Sequence, residues 1–230
     1  MNKLEGIVVS YSDYKDNDRI IKVLSIDNTL ISFYCRGVRS IKSVNRSKIE
    51  LLNRVLIEYE HKDFKELQLL RRLDVLDYYL ELKSDLDKIS IVNVMVEIIS
   101  KAEMVNYQLF YQYLKMINDN DNVLYYGSKF FALLSSEYGV SLNLDSCIYC
   151  DNKPSKYISI QAGGLVCEDH ISNHDDVIIV DVSCLNKLIN SDEIILVNYE
   201  IFNLLVSNIV YRLDVNLNSL KFSDALYSNH

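Results

Sequence analysis

The chain has 230 residues, of which 49% are hydrophobic and 24% charged, and its formal net charge at pH 7 is −8. This length allows one large hydrophobic core or two modest ones, and the longest apolar run, near 89–99, falls short of the roughly 20 residues that a membrane span requires. We therefore expect a soluble globular protein, and the acidic balance argues against nucleic-acid binding by its surface as a whole.

The N-terminal third predicts about five short β-strands, because segments rich in Ile, Val, Phe and Tyr alternate with turns of Asp, Asn and Gly. The predicted strands cover 4–11, 19–25, 29–36, 54–61 and 66–73. Five short strands are typical of a small closed barrel such as the OB fold, whose exposed face and loops bind single-stranded nucleic acid. We predict an OB-like barrel over 1–76, with an SH3-like barrel as the alternative.

A basic loop separates the third and fourth predicted strands. Residues 1–72 carry 14 Lys or Arg against 10 Asp or Glu, a balance of +4, whereas 73–230 carry 10 against 22, a balance of −12. Between positions 34 and 54, Glu50 is the one acidic residue that opposes the cluster. The cluster indicates a site for phosphate groups, and a solvated loop that keeps the protein soluble is the alternative. Its members are Arg36, Arg39, Lys42, Arg46, Lys48 and Arg54.

After residue 75 the hydrophobic period changes from two to about three and a half, which predicts helices. Ser84 followed by Asp87 resembles a capping box, so we predict that the first helix begins there with Leu86 and Ile99 on its apolar face. Further helices are predicted over 107–117, 122–138, 183–190 and 199–213. The fold class is therefore α+β, with a helical domain over 77–230 after the barrel.

A metal-binding pattern interrupts the helical domain. A C-x2-C pair and a C-x2-H pair are separated by sixteen residues, the spacing by which one tetrahedral zinc ion joins two backbone turns. Residues 157–160 alternate like a strand and the glycines at 163–164 supply a reversal before the second pair. We predict a zinc ribbon or knuckle inserted at 145–172. Its candidate ligands are Cys147, Cys150, Cys167 and His170.

The identity of the fourth ligand stays open, because His174 follows closely and could reach the metal through a longer loop. Four protein ligands close the coordination shell and leave no position for a catalytic water, so the predicted zinc is structural. The alternative is a set of ordinary buried cysteines beside a surface histidine. A disulfide framework is not expected, because the chain has five cysteines, an odd number, and Glu5 places a charge where a signal peptide would be apolar.

The order of these parts resembles the RecO-type DNA repair and recombination mediators, over nearly the whole chain. The first signature is GIVVSY followed by DRII and RGVR, and the second is YGV followed by CIYC and GGLVC. The matching segments lie at 6–11, 18–21, 36–39, 138–140, 147–150 and 163–167, with a further one at 218–222. One departure is His170, because zinc-bearing members commonly have a fourth cysteine there.

This resemblance implies a non-enzymatic protein of the cytoplasm that joins the nucleoid during repair. Such proteins bind single- and double-stranded DNA, anneal strands coated by single-stranded DNA-binding protein, and act with RecR to load RecA. Because the helical part is acidic, we expect the barrel to be the main DNA contact. The candidate DNA-binding residues are Arg19, Arg36, Arg39, Lys42, Arg46 and Lys48.

Two other functions are alternatives to this expectation. The first is an acidic, zinc-containing adaptor that docks other proteins through its helical surface and does not bind nucleic acid; the basic loop argues against it. The second is a zinc hydrolase, which lacks a candidate base beside an open coordination site, because Glu168 and Asp169 lie between the ligands.

Overall fold

The computed structural model describes residues 2–153 and 156–227 and confirms the α+β class. The first unit contains β1 (Asn2–Tyr14), β2 (Asp18–Ser25), β3 (Leu30–Cys35), β4 (Arg54–Glu60), β5 (Leu67–Asp77), α1 (Leu80–Ser84) and α2 (Leu86–Ala102). The following elements are α3 (Tyr107–Asp119), α4 (Val123–Glu137), β6 (Tyr157–Ser159), β7 (Gly164–Leu165), β8 (Val177–Ile179), α5 (Val182–Asn190), α6 (Tyr199–Leu213) and α7 (Asn218–Tyr227). Two compact units, 1–112 and 113–230, divide the chain within α3.

The first five strands form a closed barrel in the order β1-β2-β3-β5-β4, with β4 pairing back onto β1. All neighbours are antiparallel except β3 and β5, which run parallel and bring Tyr34 beside Leu69. The OB-like barrel predicted from the strand pattern is confirmed. Each observed strand begins within two residues of its predicted start.

Buried apolar side chains fill the barrel, as expected for strands whose alternate residues point inward. Val8, Ile21, Val23, Phe33 and Ile57 are among those with no measurable exposure. Gly6 lies in β1 opposite Ser25 of β2, and a Cβ atom there would lie 2.6 Å from Cγ1 of Val23. A side chain at this position would force the two paired strands apart, so their close approach requires glycine.

The helix α2 begins one residue later than predicted from the capping box. Asp85 is its N-cap, with an extended backbone, and its carboxylate accepts a hydrogen bond of 3.0 Å from the backbone N–H of Lys88. Ser84 is still helical within α1, and its hydroxyl donates to the carbonyl of Glu81, so it cannot serve as the cap. Leu86, predicted on the apolar face, is exposed, whereas Ile99, predicted on the same face, is buried.

In the second unit, α4 packs against α5 and α6. The rings of Phe131 and Phe202 meet edge to face at 5.6 Å between centroids. Lys129 is buried on α4, and its ammonium donates hydrogen bonds of 2.8 and 2.7 Å to the carbonyls of Leu188 and Ser191 at the end of α5. Among the described residues, no helix has both the length and the apolar character to cross a bilayer.

Candidate metal centre and nucleic-acid interface

The four predicted metal ligands come together around one point. Nδ1 of His170 lies 3.1 Å from Sγ of Cys167, 3.6 Å from that of Cys147 and 3.9 Å from that of Cys150. The sulfur atoms of Cys150 and Cys167 are 3.7 Å apart, and all four ligand atoms lie within 4.8 Å of one another. Bonds of about 2.3 Å to sulfur and about 2.0 Å to nitrogen place tetrahedral ligands at such separations, so the cluster fits one metal ion.

Local backbone structure explains why the four side chains converge. The antiparallel pair β6 and β7 forms a hairpin, and the turn between them includes Gly163 in a left-handed conformation, with φ +87°. The hairpin returns the chain so that the N–H of Cys167 faces Sγ of Cys147 at 3.4 Å. A turn in which the N–H of His170 donates to the carbonyl of Cys167 then brings the imidazole to the cluster. The third strand of this small sheet, β8, was not predicted from the sequence.

The electrostatics of the cluster lower the pKa of Cys147 and Cys167 and so favour their thiolates, the form of cysteine that binds metal. The hydrogen bond from the N–H of Asn152 alone would lower the pKa of Cys150, but burial and the two neighbouring thiols outweigh it and raise that pKa. Burial alone would raise the pKa of Cys147, but the N–H groups of Tyr149 and Cys167 and the neighbouring thiols outweigh it and lower the pKa to about 6. The Cys167 thiol, hydrogen bonded at 3.1 Å, raises the pKa of His170. Cys147 and Cys167 are therefore disposed to hold a cation, whereas Cys150 and His170 would have to lose a proton on binding it.

His174, the alternative fourth ligand, lies outside the group of four. Its ring stacks on Tyr149 at 5.5 Å between centroids. Tyr149 also contacts the ring of His170, at 5.3 Å. The geometry therefore favours His170 as the ligand and gives His174 a packing role beside it.

Three of the predicted DNA-binding residues are engaged by groups of the barrel. The carboxylate of Asp13 holds two of them: Oδ1 lies 3.0 Å from Nη2 of Arg19, and Oδ2 lies 3.2 Å from Nη2 of Arg39. The ammonium of Lys48 donates a hydrogen bond of 3.2 Å to the carbonyl of Leu73 in β5. The contacts of Arg39 and Lys48 hold the basic loop on the barrel. A phosphate would have to compete with the present partners of all three residues.

The other three, Arg36, Lys42 and Arg46, are exposed. Over 2–153 and 156–227, no hydrogen bond or ion pair engages these three side chains, although Arg36 lies close enough to Asp18 to act on its charge. The loop that carries them is ordered by a buried anchor, Asn53, whose amide donates to the carbonyls of Ser47 and Lys48. Charges without local partners, on a backbone held in place, are suited to bind phosphate groups.

The structure also contains a cationic groove that no pattern in the sequence indicates. We call it the barrel groove; it is open, has a volume of about 800 Å³, and is lined by the β1–β2 turn, the end of β3, the β4–β5 loop and the start of β5. Five cations and two carboxylates line it, and one carboxylate, Asp18, is already bound to Tyr34 and to the N–H of Gly37. One cation, Arg71, is paired with Glu60, with 2.9 Å between Nη2 and Oε2. The cations are Lys15, Arg36, Lys62, Lys65 and Arg71. Arg36 therefore links the groove to the basic loop.

Comparisons with known proteins agree with this architecture. Residues 1–79 match the family described as Recombination protein O N terminal. The chain is 28% identical over 186 residues to the DNA repair protein RecO of Mycoplasma capricolum, which covers 77% of this chain and 74% of that protein. The DNA repair protein RecO of Clostridium perfringens is 26% identical, and the match covers 71% of this chain and 69% of that protein. The RecO of Oceanobacillus iheyensis is 24% identical, and the match covers 73% of this chain and 67% of that protein. The predicted resemblance to RecO-type proteins is confirmed.

Proposed function

We propose, from the premise that this chain is similar to RecO-type DNA repair proteins, that it is a non-enzymatic, DNA-binding mediator of recombinational repair. The observation that supports this most directly is the exposed basic loop on an OB-like barrel, where Arg36, Lys42 and Arg46 lack carboxylate partners among the described residues. A protein of this kind would bind single- and double-stranded DNA, anneal complementary strands and assist the loading of RecA together with RecR.

The proposed mechanism of DNA binding depends on the positive charges of the basic loop. Cations that bind phosphates release condensed counterions, so affinity falls steeply as salt rises and depends little on base sequence. By neutralising phosphates of two strands at once, the basic loop would lower the repulsion that opposes annealing. Single-stranded DNA-binding protein would be a partner because it coats the strands to be annealed. These steps take place in the cytoplasm and at the nucleoid.

The metal centre has a structural role in this proposal. Zn²⁺ is the ion that the set of three cysteines and one histidine favours, and Cys147, Cys150, Cys167 and His170 would complete its tetrahedral shell. A full shell leaves no position for an activated water, so the ion would stabilise the fold and take no part in catalysis.

The test is a fluorescence anisotropy titration with labelled single-stranded DNA at several salt concentrations. Replacing Arg36, Lys42 and Arg46 together by Ala should weaken binding and reduce the slope of log affinity against log salt by about 2, since each lost contact with a single strand contributes about 0.7. The matched control replaces three exposed lysines of the second unit, Lys115, Lys187 and Lys221, and removes the same total charge.

Equal effects of the two triple variants would show that total charge, and not the basic loop, determines affinity. If the parent protein shows no salt-dependent binding to any DNA, the mediator function is wrong. The alternative, an acidic zinc-containing adaptor that binds only proteins, would then account better for the balance of −12 over residues 73–230.

A further inference from the structure

The loop between β4 and β5 carries Phe64, the most exposed large apolar side chain among the described residues, with a relative exposure of 106%. Its backbone lies in the left-handed region, with φ +63°, where bulky side chains are rarely found. The ring contributes nothing to the hydrophobic core and its backbone is strained. Packing therefore gives no reason for phenylalanine at this position.

A buried side chain maintains this conformation. Gln68 is 4% exposed, and its amide donates hydrogen bonds of 3.2 and 2.6 Å to the carbonyls of Lys62 and Lys65. Its carbonyl oxygen accepts a third bond, of 2.9 Å, from the N–H of Lys62. The three bonds hold the backbone on both sides of Phe64. A strained conformation persists only where its surroundings determine it in this way, and such conformations are concentrated at functional sites.

The neighbours of Phe64 indicate what the ring would contact. Lys62 and Lys65, on either side of it in the sequence, line the barrel groove, where cations outnumber carboxylates five to two. Asp63 and Glu66 in the same loop are exposed and reduce this excess, but neither lines the groove. A cationic groove beside an exposed aromatic ring is the arrangement by which proteins bind single strands, with phosphates in the groove and bases stacked on rings. Duplex DNA offers no free base face along its length.

We propose that Phe64 stacks on an unpaired base of single-stranded DNA whose phosphates follow the barrel groove, with Gln68 as the positioning residue of the loop. This inference rests on the proposed DNA-binding function and specifies the form of DNA bound at this site. Because every base presents a π face, binding by the ring tolerates any sequence. The cations of the basic loop and of the barrel groove account for the salt dependence of binding, and Phe64 accounts for the contribution of the bases.

The first test compares two oligonucleotides of equal length at low salt, one of thymidine and one abasic. Phe64→Ala should weaken binding to the thymidine strand roughly tenfold and leave binding to the abasic strand unchanged. The salt slope should not change, since no charge is removed. Phe64→Gly should show the same loss while melting no lower than the parent, because glycine adopts a positive φ without strain. This variant separates loss of stacking from loss of folding.

The second test uses the absence of tryptophan from the chain. Phe64→Trp introduces a single reporter whose fluorescence should be quenched when the thymidine strand binds, with affinity close to that of the parent. Leu196→Trp is the control, because Leu196 is 96% exposed and lies in the second unit. Its fluorescence should not change.

The outcomes separate the two proposals. If the parent binds the thymidine strand but Phe64→Ala binds it equally well, or if Phe64→Trp is not quenched, the stacking role is wrong and the DNA-binding function stands. If the parent binds neither oligonucleotide, both are wrong.

Discussion

The barrel and the candidate metal-binding segment, 145–172, both contain short strands, but different interactions are available to stabilise them. The barrel strands have 6 to 13 residues, and the closed sheet encloses a core of fully buried Val, Ile and Phe side chains. The sheet of β6, β7 and β8 has strands of only two or three residues. Hydrophobic burial stabilises the first region. The second also buries Ile158 and Leu165, but its strands are too short to enclose a core of their own. In the proposed function, a metal held by the ligand cluster would add to the stability of this segment.

The largest effect should come from breaking the metal centre. Cys147→Ser removes one of four ligands, and we expect loss of the metal and destabilisation by about 3 kcal/mol or more, because binding of a structural zinc is coupled to folding. For a chain of this size that corresponds to a fall in melting temperature of roughly 10 °C. Calorimetry with elemental analysis measures both quantities.

Cys184→Ser is the matched control, because Cys184 lies outside the ligand cluster. It should keep the metal and melt close to the parent. A protein purified without chelator that contains no zinc, or a Cys147→Ser variant as stable as the parent, would contradict the structural role. Amide hydrogen exchange should show that loss of the metal exposes β6 and β7 and leaves the barrel protected.

In the barrel, the corresponding change is Gly6→Ala, which acts through packing alone. The new methyl group would overlap Cγ1 of Val23 and the carbonyl of Leu24, so we expect destabilisation by about 3 kcal/mol. Gly37→Ala is the control: its Cβ would meet no atom within 4 Å, and only its φ of +68° opposes the change, at a cost of about 1 kcal/mol. Urea unfolding measures the difference, and equal losses would show that β1 and β2 can separate without penalty.

The smallest effect is expected from Asp13→Asn, which should change binding more than stability. The substitution releases Arg19 and Arg39 from their shared carboxylate and removes one negative charge beside the basic loop. Exposed ion pairs contribute about 0 to 1 kcal/mol, so the melting temperature should barely move. DNA affinity should rise several-fold at low salt, with a steeper salt slope. Weaker binding would instead mean that Asp13 positions the two arginines for DNA.

Arg19 and Arg39 also show which contacts could not be predicted from the sequence. The convergence of the four candidate metal ligands could be predicted because their spacing is local. The barrel could be predicted because apolar and polar residues alternate along its strands. The partner of Arg19 could not be predicted, because the predicted first strand ends at Tyr11. In the structure β1 continues to Tyr14 and places Asp13 opposite Arg19. The extension has exposed side chains and therefore no apolar alternation to reveal it.

The barrel groove was missed for a similar reason. It exists because β3 and β5, which are far apart in the sequence, lie side by side in parallel and bring the loop of Lys62 and Lys65 to the β1–β2 turn. No pattern of neighbouring residues in the sequence predicts that β3 and β5 pair. The sequence does show lysines on either side of Phe64. They indicate a groove only when the order of the strands is known. The capping box predicted at Ser84 is wrong for a local reason. Asp85, one residue later, can also cap a helix, and it is the N-cap of α2.

The closure of the barrel has a consequence for how the protein is made. The first strand pairs with the fourth, so that Gly6 lies opposite Val55 and Asn2 opposite Tyr59. On the ribosome, β1 and β2 can pair early, but the outer edge of β1 has no partner until β4 has emerged from the exit tunnel. At a synthesis rate of about 5 to 20 residues per second, that edge is exposed for several seconds in the nascent chain. Long-range pairing of this kind slows closure, and until β4 pairs with it the edge of β1 is open to pairing with another chain.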